Sequence, residues 1–151
     1  MATTLQITID CADPARLVRF WAEALGYEAE SPPGGFASWR EYWLDRGIPA
    51  EELGDESDDG PDSVVDPGGV GPRLWFQQVP ESKVVKNRLH LDLKVSGGRT
   101  VPLETRRQRV DAEVDRLVAA GATRVKVLAV DGADYYAVLM RDPEENEFCV
   151  A

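Results

Sequence analysis

LQITIDCADPARLVRFWAEALG, residues 5–26, contains the grammar from which the rest of the chain can be read. Its first part alternates strictly, so that Leu5, Ile7 and Ile9 fall on one face of a strand and Gln6, Thr8 and Asp10 on the other. Asp13 then offers an N-cap and Pro14 a first helical residue. Leu17, Phe20, Trp21, Ala24 and Leu25 recur at helical spacing until Gly26 supplies a stop. The same grammar returns at LHLDLKV, residues 89–95, where Leu89, Leu91, Leu93 and Val95 oppose His90, Asp92 and Lys94. After the turn-like SGGRT, a helix from Pro102 or Leu103 to Ala120 is predicted. Val110, Val114, Leu117 and Val118 form its apolar stripe and Gly121 ends it.

Strand-like runs follow each helix: YEAES, FASWREYWL and RLWFQQV in the first half, then TRVKVLAV, DYYAVLMR and NEFCVA in the second. The order is βαβββ, twice, which is a duplicated unit rather than a solenoid. The expected fold class is α+β, with module one at about 4–80 and module two at about 87–151. Apolar helix stripes need one dry face of each sheet. The other face would carry Gln6, Thr8 and Asp10 from the first module and His90, Asp92 and Lys94 from the second, a polar set that suits a ligand groove. A length of 151 residues, 43% of them hydrophobic, suits a single domain over 1–151 with one core.

Seventeen basic against twenty-seven acidic residues give a net charge of -10, which argues against nucleic acid and anionic membrane as partners. MATTLQITID lacks a basic segment followed by a long apolar run, so neither a signal peptide nor a membrane span is read there, and a cytoplasmic protein is expected. The acidic run from Glu51 to Pro67, EELGDESDDGPDSVVDP, is expected to be a solvated loop, with a lid over a ligand as the competing reading. Cys11 and Cys149 are too few for a disulfide framework.

Three stretches, DPARLVRFWAEALGYE, VPESKVVKNRLHLDL and VDAEVDRLVAAGATRV with LMRDPEENEFCV, carry a resemblance that spans nearly the whole chain. The chain resembles the vicinal oxygen chelate superfamily of glyoxalases, bleomycin resistance proteins and dioxygenases, and its glyoxalase-like branch in particular. The resemblance implies two βαβββ modules forming a cupped mixed sheet with helices on the outer face, a small-molecule ligand, and a homodimer. Where that family holds a divalent metal, the ligands come from the first strand, its counterpart in the second module, and a glutamate ending the last strand. The pattern falls on Gln6, His90 and Cys149, with cysteine where glutamate is usual. An amide, an imidazole and a thiol suit zinc better than magnesium or manganese. The expectation is therefore no resident cofactor, with zinc as the metal to test.

His90 is the only histidine, so it is the candidate catalytic residue for any imidazole chemistry, and its strand parity turns it toward the groove. Cys149, between Phe148 and Val150, is turned the same way, whereas Cys11 breaks the polar parity and reads as structural. Trp39, Trp43 and Trp75 are expected on middle strands as aromatic walls, with Trp75 and Gln77 facing the groove. The candidate ligand-binding set is Gln6, Thr8, Asp10, Trp75, Gln77, His90, Asp92 and Cys149. Asp142 and Pro143 begin a turn in which Asn146 is expected to be left-handed. Two functions stay open: a protein that binds a small organic compound, and a metal-dependent lyase or isomerase of glyoxalase type using His90. An extradiol dioxygenase, which wants two histidines, is disfavoured.

Overall fold

The computed structural model describes residues 4–53 and 60–151. In chain order the elements are β1 (Gln6–Cys11), α1 (Pro14–Leu25), β2 (Glu28–Ala29), α2 (Trp39–Asp45), β3 (Ser63–Val65), β4 (Arg73–Gln78), β5 (Leu91–Leu93), α3 (Leu103–Ala119), β6 (Thr123–Ala129), β7 (Tyr136–Arg141) and β8 (Glu147–Val150). They fall into two compact units. One runs up to Ala22 and again from Gly26 to Pro80, and the other comprises Glu23–Leu25 with Glu81–Ala151.

In the first unit the sheet order is β1-β4-β3-β2, with β1 parallel to β4 and the remaining pairs antiparallel. Helix α1 begins and ends where its signals stand. The Asp13 carboxylate accepts the Arg16 N–H at 3.0 Å, and Gly26 adopts φ 68, a left-handed value that costs glycine little. Leu74 and Phe76 of β4 are buried while Arg73 and Trp75, which alternate with them, are half-buried, so the strand has one buried and one part-open face, with Phe76 also reaching the first unit's cavity.

Two expectations need correction here. FASWREYWL is not a strand, because Trp39–Asp45 forms α2: Ser38 Oγ accepts the Glu41 N–H at 3.1 Å, and Glu41 reaches back to the Ala37 N–H at 2.8 Å. That reciprocal pair is a variant of the capping box, and it fixes a helix start that alternation alone would miss. Nor is the run from Glu51 to Pro67 loop throughout, since Ser63–Val65 is β3, with Ser63 and Val64 fully buried between β2 and β4. Residues 54–59 of that run, four of them acidic, lie outside the described residues. YEAES contributes only the short β2.

The second unit repeats the plan with order β5-β8-β7-β6 and β5 parallel to β8. Val138, Met140, Phe148 and Val150 are buried on adjoining strands, and α3, whose Val110, Val114 and Leu117 are buried, lies against β6, β7 and β8. The turn between β7 and β8 differs in detail from expectation. The left-handed residue is Glu145, at φ 69, rather than Asn146. Asn146 is instead committed to Asp142, whose Oδ1 accepts its backbone N–H at 3.0 Å and whose Oδ2 accepts its Nδ2 at 3.0 Å. The fold is thus α+β, built from two four-stranded mixed sheets of βαβββ order with three α-helices.

Candidate functional site

The first unit contains a cavity of about 740 Å³, within the roughly 300–1,000 Å³ typical of small-molecule sites. Trp39 and Trp43 reach it from α2 and Trp75 from β4. Positions 39 and 43 are one helical turn apart and so share a face of α2. Their rings stack with centroids 6.2 Å apart and planes at 25°. The Trp39 indole N–H is held by the Glu30 carbonyl at 3.2 Å, and that of Trp75 by Asp62 Oδ2 at 2.7 Å. Trp43 is 42% exposed, a large apolar ring in partial contact with solvent beside an open cavity.

Behind the tryptophans lies a polar network. Arg73 pairs with Glu30 at 2.6 Å, donates to Ser63 Oγ at 3.0 Å, and places Nη1 2.6 Å from Gln6 Oε1. Burial pushes the Glu30 carboxyl up, but hydrogen bonds from Arg73 and Ser63 outweigh it and hold the group below its ordinary range. Thr8 sits beside Gln6, its hydroxyl 3.4 Å from Gln6 Nε2, and Asp10 is exposed opposite Gln77 in the β1–β4 register. Of the residues expected here, Trp75 lines the cavity. Gln77 does not, and its neighbour Gln78 does.

The second unit assembles a different group. Asp92 and Cys149 are cross-strand partners on β5 and β8, and His90 lies two residues before Asp92 on the same face. One ligand atom of each lies within 4.8 Å of the others. His90 Nε2 is 3.3 Å from Asp92 Oδ1, and Lys94 Nζ is 3.4 Å from Asp92 Oδ2. His90 and Asp92 have side chains 43% and 42% exposed, whereas Cys149 is buried. Burial first, and then the Asp92 charge, raise the Cys149 thiol above its ordinary value, so it is held as a thiol rather than a nucleophilic thiolate. Glu147, at the start of the same strand, is a buried carboxylate that sequence reasoning passed over. It accepts the Asn87 N–H at 3.0 Å and pairs with Lys83 at 3.3 Å, and these contacts, the Asn87 N–H first, hold its carboxyl below the ordinary range.

The donor chemistry can be tested against a divalent metal. Gln6 Oε1 accepts from the Arg73 guanidinium at 2.6 Å and Asp92 Oδ2 has Lys94 Nζ at 3.4 Å, so a cation at either oxygen would compete with a positive side chain. His90, Asp92 and Cys149 offer an imidazole, a carboxylate and a thiol within reach of one centre, a donor set suited to zinc.

A family described as glyoxalase-like domain matches residues 6–151. No curated protein sequence matches the chain. Among solved structures, the chain is similar to a glyoxalase/bleomycin resistance protein/dioxygenase family enzyme from Burkholderia phytofirmans PsJN, at 18% identity and TM-score 0.58, over 99% of this chain and 97% of that one. It is also similar to the fosfomycin resistance protein FosX from Listeria monocytogenes, at 11% identity and TM-score 0.60, over 99% and 92%. TioX from Micromonospora sp. ML1 matches at 16% identity and TM-score 0.51, over 99% and 97%. At such identities the likeness is one of fold. No helix of the described residues is long and apolar enough to cross a membrane.

Proposed function

Because this chain belongs to the glyoxalase-like domain family, we propose that it binds a small organic compound with an aromatic or flat apolar body in the cavity of its first unit. The observation that carries this reading is the convergence of Trp39, Trp43 and Trp75 on one open cavity. Three indoles supply a large apolar surface at little cost in side-chain entropy, and two of them are held in place by their own N–H groups. Calorimetric titration with naphthalene derivatives tests it. Binding that Trp75→Ala and Trp43→Ala each weaken roughly tenfold, and that His90→Ala leaves unchanged, supports the reading. Binding that depends on His90 instead, or no binding of any derivative, overturns it.

A second reading rests on the cluster of His90, Asp92 and Cys149. Here the chain is a metal-dependent lyase or isomerase: these residues would hold zinc, which would supply Lewis-acid chemistry at a substrate oxygen. Asp92 would orient the His90 ring, and a proton leaving Cys149 would accompany metal uptake. Cobalt(II) discriminates: a thiolate charge-transfer band that Cys149→Ser abolishes favours the second reading. We further propose that the chain works in the cytoplasm as a homodimer. The edge strand β6, with Val125 and Val127 exposed, supports pairing, and sedimentation would measure it.

A further inference from the structure

We infer that the ligand of the first unit's cavity is a cation, an organic ammonium or a positively charged heteroaromatic compound; this rests on the aromatic-pocket reading above. Among the described residues, the charged side chains lining the cavity are Asp13, Glu52, Asp62 and Arg73, three carboxylates to one guanidinium. That guanidinium is not available to an anion. Its Nε and Nη2 lie 2.8 and 2.6 Å from Glu30, which stays ionised, and its Nη1 is taken by Gln6.

Asp62 is the opposite case. Its Oδ2 accepts from the Trp75 indole at 2.7 Å, while its Oδ1 lies 3.1 Å from the Ser63 hydroxyl, whose one proton goes to Glu30 at 2.8 Å. The indole is a neutral donor, so it orients the carboxylate without cancelling its charge. The indole–carboxylate bond also places that negative charge at the edge of a ring that lines the cavity. A cavity with three indole faces and the Asp62 carboxylate at its wall attracts cations twice, through the negative ring faces and through direct charge. Anions meet the same two terms with the sign reversed.

The test compares three probes of one shape: naphthylmethyl-trimethylammonium, naphthaleneethanol and naphthylacetate, titrated calorimetrically into the full chain at low and high salt. The expected order is cation, then alcohol, then anion, with the cation binding roughly tenfold more tightly than the alcohol and losing affinity as salt rises. Asp62→Asn keeps an acceptor for Trp75 while removing the charge. It is expected to weaken the cation severalfold and leave the alcohol unchanged, and Glu52→Gln to act in the same direction more weakly. An alcohol or anion that binds as tightly as the cation overturns the charge inference while leaving the aromatic-pocket reading intact. If none of the three binds, both fall.

Discussion

The two units share one element order and differ in what lies between their second and third strands. In the first, residues 30–62 separate β2 from β3 and include α2. In the second, residues 130–135 join β6 to β7 directly. The long connection carries Trp39 and Trp43, which with Trp75 line one open cavity; the second unit instead gathers a small group, His90, Asp92 and Cys149. A duplicated scaffold therefore keeps its dry faces alike and diverges in its connections, which tolerate insertion because they lie outside the packed layers.

If the dry faces are alike, Phe76→Ala and Phe148→Ala, both fully buried on their units' β1-paired and β5-paired strands, should each cost about 3–5 kcal/mol in chemical denaturation. A large inequality would break the equivalence. The polar side of the second unit is sharpened by Glu147→Ala, which removes the acceptor for Asn87 and Lys83 and is expected to cost about 2 kcal/mol. Because Glu147 holds Asn87 and Lys83, the loss should appear as increased hydrogen exchange in residues 83–87.

The same carboxylate makes stability depend on acid. Glu147, Glu30 and Asp66 are all held below their ordinary values, Asp66 first by the Gly71 N–H and then by those of Gly68 and Val70. A depressed folded pKa contributes stability above the unfolded value, and that contribution disappears as pH falls through the folded value. Urea midpoints should therefore fall from neutral pH toward pH 3, about and below the ordinary carboxylate range, and Glu147→Gln should flatten part of the slope.

Smaller effects separate the connections themselves. Ser38→Ala removes the cap of α2 and should cost about 1 kcal/mol while weakening the naphthalene probes, because the Trp39–Trp43 face loses its anchor. Glu145→Gly, in the β7–β8 turn, should stabilise by about 0.5 kcal/mol, since glycine adopts φ 69 without a Cβ penalty; the exposed Arg141–Glu145 pair it removes is worth little. Thermal melting of both variants checks the opposite signs.

Much of this molecule is legible in its sequence because the signals are local. Strict alternation around Gln6 and His90, the Asp13 cap and the Gly26 stop locate β1, β5 and both ends of α1. Parity also turns Asp92 and Cys149 to one face, where the structure brings them together with His90. Trp39 and Trp43 read as strand residues for a definite reason: a separation of four puts two residues on one side of a strand and on one side of a helix, and the structure has the helix. Ser38 and Glu41, a cap signal at the right spacing, could have settled it.

The leading strand and helix of each unit and their duplication were thus determined by the sequence itself, since periodicity and capping act over a few residues. The tertiary structure alone decided that Ser63 is buried, because its partners Glu30 and Arg73 come from distant positions. It alone decided that Glu147 is locked by residues 83 and 87, and that three tryptophans on a helix and a strand line one cavity. Contacts between remote residues depend on how layers pack, and no local pattern in the chain encodes that.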